Sequence, residues 1–430
     1  MLEKILTDQF RKKLKLLFTD IQNQQDRRDE EEFAKDEQRI KTQLLSTVDP
    51  YPPDVLLDED FLVAAIDGSG TDNLMLLDDV RVHLFSTASI LVNTNTQAEQ
   101  VFEPIRTELI EEELGEQPHL ETHWHSGVRY DASKKLAETL AEVYPVKDIA
   151  NLVLPFFKDH SGGSISAYSD FTGTEYERRV PSLKDISSLI SRERILTNPI
   201  VHEEIRKVSE YAAAHNILTS KFMPKYVMLD GAMSVFMHHV FKYPSMPSGF
   251  MLRELASLAR KENVILCAVS KNHTIPFAHK IAKMARDVFG EGAKWFCHLP
   301  CSSDPGGGLH IYEDRTYIPP RLAVPYLFSF SRDNRPSRID FDRIWWLETI
   351  FVKDDPVATR NNEKALFREL EFMSRDARWY GYPVALALAH EQCKLSYEDL
   401  RLAREICRDV RIEMKLDSVK TEPYRADYNL

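Results

Sequence analysis

Glycine is scarce in this chain, 15 in 430 residues. Folds that cradle a nucleotide on several glycine-rich turns draw heavily on that supply. Cysteine is scarcer. The five present, an odd number spread over positions 267–407, make no disulfide framework and fit a reducing compartment. Long apolar runs are missing as well: nothing approaches the ~20 residues that cross a bilayer. The opening stretch, MLEKILTDQFRKKLKLLF, is too charged for the apolar centre of a signal peptide. A cytoplasmic protein with no membrane association is expected. Positive charge is not in excess either. A net charge of −12 excludes a protein that coats nucleic acid by bulk attraction. It leaves open an enzyme with a local basic channel and a carboxylate-rich metal site.

What is present is material for a large core. At 43% hydrophobic and 28% charged residues the composition is that of a globular protein, long enough for several ordinary domains or one elaborate one. Leu2, Leu6, Phe10, Leu14, Leu17 and Ile21 recur at helical spacing and predict an amphipathic helix. NQQDRRDEEEFAKDEQRIKTQ then reads as an exposed helix or coiled-coil arm, with a solvated helix equally open. Pro50, Pro52 and Pro53 stop it. The chain thus divides into an N-terminal helical arm, 1–50, and a globular part, 55–430.

In the globular part, strands are predicted over 61–66, in MLLDDVRVHLFS and in TASILVNT. Helices begin near Ser133. DISSLISRERI and VHEEIRKVSEYAAAH are expected to be helical, followed by strands over 226–229 and 263–271. PFAHKIAKMARDVF is a helix and CHLPCSSDPGGGLH irregular; DFDRIWWLETIFV is expected as a strand before two closing helices.

Two of these strands end alike. FLVAAIDGSG runs from apolar residues into Asp67, and KYVMLDGAMS does the same at Asp230. Carboxylates at the ends of neighbouring central strands converge, repel, and are relieved by a divalent cation. Mg²⁺ or Mn²⁺ takes such hard oxygen ligands and keeps sites for water and phosphate. The small residues after each acid let a phosphate backbone approach. Together these point to metal-assisted phosphodiester chemistry, in which ions activate water and stabilise the leaving oxygen. The plainer reading is a pair of Asp-Gly turns closing strands. DGSGT also resembles the phosphate turn of actin-like ATPases, which would need a second phosphate loop and a glycine-rich adenosine pocket.

FLVAAIDGSG, YVMLDGAMS, CAVSK and GYPVALALAHE, in that order, resemble the NurA nucleases over about residues 55–410. The resemblance implies an α/β fold with a ribonuclease H-like mixed sheet flanked by helices. It implies a metal-dependent deoxyribonuclease using two Mn²⁺ or Mg²⁺ ions on DNA ends and single strands, in end resection or phage defence. It also implies a homodimer that docks on a hexameric HerA-type ATPase. Carried over by position, Asp67 and Asp230 match metal ligands and His390 matches the histidine of the C-terminal helix. Pro383 can open that helix and the residues up to Ala389 are apolar, so His390 emerges from a buried segment, able to bind metal or shuttle a proton. A glutamate ligand is expected on the helix before Asp230. Glu210, beside Ala212–Ala214, is preferred over Glu193, Glu203 and Glu204, the last two reading as a solvated charged face beside Arg206 and Lys207. Lys271 matches a strand-end lysine, placed to hold the scissile phosphate, or else a surface lysine. Lys280, Lys283 and Arg286 could track a DNA backbone or simply solvate a helix. A non-catalytic adaptor of the ATPase is the alternative from another class.

Two further clusters carry less. Cys297, His298, Cys301 and His310 lack the second tight pair of a zinc site, Cys393 and Cys407 being remote. His123 and His125 share a strand face and read as ordinary exposed strand histidines.

Overall fold

The computed structural model describes residues 8–33, 41, 59–77, 80–95, 102–126, 132–160, 167, 170, 185–190, 196–233, 246–273, 278–299, 323–330, 336–376, 378–379 and 381–415. Its centre is one mixed sheet. β1 (Leu62–Leu77) and β2 (Val80–Thr94) form a long antiparallel pair. β3 (Phe102–Pro104) and β4 (His119–Ser126) both pair antiparallel with β2. β5 (Tyr226–Asp230) lies parallel to β1, and β6 (Ile265–Ser270) parallel to β5. β7 (Trp295–His298), β8 (Ala323–Ser329) and β9 (Ser337–Asp342) complete the sheet, β9 lying antiparallel on β6. The order is β3-β2-β1-β5-β6-β9-β8-β7, with β4 on β2. In the first five strands of that order β2 alone runs against the others. This is the ribonuclease H-like arrangement that the resemblance implies.

The helices are α1 (Asp8–Phe33), α2 (Thr107–Leu114), α3 (Ala132–Val143), α4 (Ile149–His160), α5 (Asn198–Leu218) and α6 (Pro247–Lys261). They continue with α7 (Ala278–Phe289), α8 (Arg343–Thr349), α9 (Pro356–Phe372), α10 (Val384–Cys393) and α11 (Tyr397–Glu413). Strand alternation sorts them into two layers. Ala64 and Ile66 face one buried cluster with Val208, Leu255 and other residues of α3 to α6. Val63 and Ala65 face the opposite cluster, with Trp346 of α8, Phe367 of α9 and Leu386 of α10. Each fully buried large side chain contributes about 1.5–3 kcal/mol. The two clusters therefore clamp β1 and β5 firmly between α5 and α10.

The elements differ from expectation in several places. β1 does not end at Asp67 but continues to Leu77, because Asp67 to Thr71 pair antiparallel with Ala88 to Leu84 of β2. What ends at Ile66 is only the described parallel pairing with β5. The two strands expected next are one, β2, while Met75–Leu77 belong to β1. DGSGT is thus strand rather than phosphate turn, which removes the feature that favoured an actin-like ATPase. In DFDRIWWLETIFV the strand stops at Asp342, whose carboxylate accepts from the amides of Ile344 and Trp345 and starts α8. The last third carries α9, α10 and α11 rather than two helices after that strand. In DISSLISRERI the described residues, 185–190, hold a short 3₁₀ turn, Ile186–Leu189, and 191–195 lie outside the described residues.

The N-terminal arm is helical over Asp8–Phe33, and Leu17 and Ile21 of its apolar face are exposed. The remainder of 1–50, apart from residue 41, lies outside the described residues. His125 is buried rather than exposed, and His123 is mostly so. Cys297 and His298 sit buried in β7; Cys301 and His310 lie outside the described residues. Among the described residues no helix is long and apolar enough to cross a membrane.

Candidate metal centre

Alternation along β1 puts Asp67 on the same face as Val63 and Ala65, toward α10. Along β5 it puts Asp230 on the face of Tyr226 and Met228, which is the same side. The register Ile66↔Leu229, carried one residue further, sets the two aspartates side by side. α10 then delivers His390. Pro383 precedes its first turn, and Val384, Ala385, Leu386, Ala387 and Ala389 are buried. The histidine emerges at the last turn with its side chain 56% exposed, over an Asp67 carboxylate that is 3% exposed.

His390 Nδ1 lies 2.8 Å from Asp67 Oδ2. An ionised carboxylate only accepts, so Nδ1 carries the proton in this contact and Nε2 is the open nitrogen. Asp67 Oδ1 accepts from the amide of Gly68 at 2.7 Å. Cys393, one helical turn beyond His390, is 1% exposed. Its Sγ, a His390 nitrogen and an Asp67 oxygen all lie within 4.8 Å of one another. Among the described residues this is the group whose ligand atoms come close enough to hold a metal ion.

Asp230 Oδ1 accepts from the hydroxyl of Tyr382 at 2.7 Å. The ammonium of Lys271, just past β6, sits 3.7 Å from the centroid of the same tyrosine ring, a cation–π contact. Burial pushes the Asp230 carboxyl above the usual range, and the charge of Asp67 adds to this; the Tyr382 hydroxyl works against it. Burial draws the Lys271 ammonium down, against the attraction of Asp230, Glu391 and Asp67.

Glu210 arrives from the other layer. It is 3% exposed on α5, and its Oε1 accepts from Arg206 Nη1 at 2.6 Å. Arg206 also donates to the carbonyl of Gly68 at 3.2 Å. A Cβ on Gly68 would meet Glu210 Oε1 at 2.6 Å, so the glycine makes room for this carboxylate rather than for phosphate. Burial pushes the Glu210 carboxyl up to about 8; Arg206 lowers it, while Asp67 and Asp230 raise it further. Three acids thus crowd one another from two faces of β1, the situation a divalent cation relieves. The donor set of carboxylates, an imidazole and a thiol suits such a cation.

The other glutamates separate clearly. Glu203 is half-exposed and paired with Arg206 and Lys207. Glu204, expected on a solvated face, is 5% exposed and accepts from the amide and hydroxyl of Ser248 at the start of α6. Glu193 lies outside the described residues. A cavity of about 300 Å³ opens beside the acids, lined by Arg206, Lys207, Glu210, Asp230, Ser270 and Asn272. On α7, Lys283 and Arg286 are exposed and Lys280 half-buried.

Sequence reasoning missed Tyr382, Cys393 and Arg206. Tyr382 stands inside the quoted GYPVALALAHE segment. Cys393 follows His390 by three positions, the spacing that stacks two side chains on one helix face. Arg206 precedes Glu210 by four, the spacing of an ion pair.

The chain is similar to solved NurA nucleases. The NurA nuclease from Sulfolobus solfataricus aligns with 95% of this chain and 98% of its own, at 10% identity and a TM-score of 0.45. NurA bound to dAMP and manganese aligns with 94% of this chain and 97% of its own, at 11% identity and a TM-score of 0.36. NurA with manganese covers 96% and 99%, at 10% identity and 0.31. The fold itself stands on the strand order given above. No family model matches the chain, and no curated protein does.

Proposed function

We propose that this protein is a metal-dependent deoxyribonuclease acting on DNA ends and single strands. The observation that carries the reading is the placement of Asp67 and Asp230 on adjacent parallel strands, facing one way, with His390 on Asp67. Asp67, Asp230, His390 and Glu210 would supply ligands to divalent cations, Mn²⁺ or Mg²⁺, in a two-metal site, with Asp67 and His390 already in contact. When bound, such ions make water nucleophilic near neutral pH and offset charge on the leaving oxygen.

The chain's own residues do the rest. Tyr382 fixes the Asp230 carboxylate by its hydroxyl, as groups behind a metal ligand commonly do. Lys271 is held over the Tyr382 ring, close to the acids, and meets the phosphate with its positive charge. His390, oriented by Asp67, has Nε2 available to bind a cation or to take up a proton, which the imidazolium so formed can hand to the departing oxygen. Arg206 holds the Glu210 carboxyl in place from the same helix, four residues earlier. Among the described residues, α10 and α5 bring their side chains to the site from opposite faces of β1.

The acidic body keeps free DNA away except along local basic surface, and a hexameric HerA-type translocase feeds the strand to a nuclease homodimer in the cytoplasm. The roles served are end resection or defence against phage. The test is degradation of end-labelled linear DNA by the purified chain in Mn²⁺, Mg²⁺ or chelator, with and without the ATPase. Metal-dependent cutting that rises with the partner supports the reading. Equal rates with and without the ATPase would remove the partner. Inert protein in every condition would leave an adaptor.

A further inference from the structure

The thiol of Cys393 has no place in a hard-metal nuclease site, yet it lies against one. It is buried on α10, one turn after His390, and its Sγ is within 4.8 Å of ligand atoms of both Asp67 and His390. Its weak S–H contact runs to the His390 carbonyl at 3.5 Å. A buried cysteine that merely fills space sits among apolar side chains; this one shares its surroundings with a carboxylate and an imidazole. Oxygen, nitrogen and sulfur from Asp, His and Cys together form a donor set that zinc accepts and magnesium does not.

We propose that Cys393 completes a mixed oxygen, nitrogen and sulfur site with Asp67 and His390. This position takes a thiophilic divalent cation, such as Zn²⁺, in preference to Mg²⁺. On binding, the S–H bond breaks, the proton passes to solvent and the sulfur–metal bond forms, with no change of oxidation state. The inference rests on the metal-site reading above and names the metal class that one corner of it prefers. It follows that Zn²⁺ displaces Mn²⁺ from the Asp67 position and that this advantage belongs to the sulfur.

The test uses the full metal-free chain titrated with Cd²⁺ alone, followed by the near-ultraviolet thiolate-to-metal absorption. A saturable band is expected in wild type and absent in Cys393→Ser and Cys393→Ala, both checked for folding by circular dichroism. Asp67→Asn and His390→Asn should weaken Cd²⁺ binding by about tenfold or more, while Cys407→Ser leaves it unchanged. In competition, Zn²⁺ should displace Mn²⁺, read by electron paramagnetic resonance, at least about tenfold more readily from wild type than from Cys393→Ser.

A band that survives both Cys393 substitutions, or that ignores Asp67 and His390, overturns the proposal. Mn²⁺ binding separates the two levels. If Mn²⁺ binds wild type and Cys393→Ser alike and no Cys393-dependent Cd²⁺ band exists, the sulfur site fails and the hard-metal site stands. If Cd²⁺ gives the Cys393 band and Mn²⁺ does not bind, the sulfur site stands and the nuclease reading loses its metal.

Discussion

His390 Nδ1 lies 2.8 Å from Asp67 Oδ2, a contact made across 323 positions of sequence. It joins the first strand of the sheet to a helix near the end of the described chain. Removing the imidazole should lower DNA cleavage by about 10²–10⁴-fold if it carries a proton or a ligand role. His390→Ala, assayed for rate and separately for Mn²⁺ affinity, divides those roles. Unchanged affinity with a lost rate marks proton transfer, whereas loss of both marks ligation. Full activity would remove His390 from the chemistry.

Tyr382 does two jobs that substitution can separate. Its hydroxyl holds Asp230 at 2.7 Å and its ring supports Lys271 at 3.7 Å from the centroid. Tyr382→Phe keeps the ring and should weaken Mn²⁺ binding by about 10–100-fold. Tyr382→Leu should lose the lysine platform too and fall further in rate. Equal behaviour of the two variants would contradict a role for the ring.

Gly68 and Gly70 face crowding of different kinds. A Cβ at Gly68 meets the Glu210 side chain, Oε1 at 2.6 Å, whereas one at Gly70 meets the backbone carbonyl of Leu84 at 2.4 Å. Gly68→Ala should cost about 1–3 kcal/mol by pushing Glu210 off Arg206. Combining it with Glu210→Ala should cost less than the sum of the two. Gly70→Ala should be worse, since a backbone atom cannot swing away. Denaturant midpoints measure all four, and additivity of the Gly68 pair would contradict the contact.

The Glu210 carboxyl, up at about 8 against 4.5 in the unfolded chain, sets a pH dependence. Between those values the folded protein holds a proton that the unfolded chain has released. Stability of the metal-free protein should therefore fall, from this group, as pH rises through that window. Glu210→Gln should flatten the slope in thermal melts. A slope identical in wild type and variant would mean that another group sets it.

The sequence made the two aspartates and the histidine legible because each follows an apolar run whose direction is unambiguous. Asp67 follows the last parallel pair of β1 with β5, Asp230 closes β5, and His390 lies in the last turn of a buried helix. The extent of β1 was not legible. A strand that loses one neighbour at Ile66 but keeps another looks like a strand that stops, because glycines read as turns when the partner strand is unseen. Glu204 was misread for a related reason. Its neighbours Glu203 and Lys207 are solvated, while the residue it caps, Ser248, is 44 positions away. Cys393 and Tyr382 escaped because thiols and phenols are not expected among hard-metal ligands. Only the meeting of α10, β1 and β5 shows what they touch.

The most direct test of the central claim is cleavage of end-labelled linear DNA by wild type, Asp67→Asn and Asp230→Asn, in Mn²⁺ and in chelator. The substitutions keep the shape of each side chain and remove its charge. Mn²⁺-dependent cutting by wild type, none in chelator, and loss in both variants with folding intact are the expected results. Variants that cut as fast as wild type, or cutting that persists in chelator, would contradict the claim.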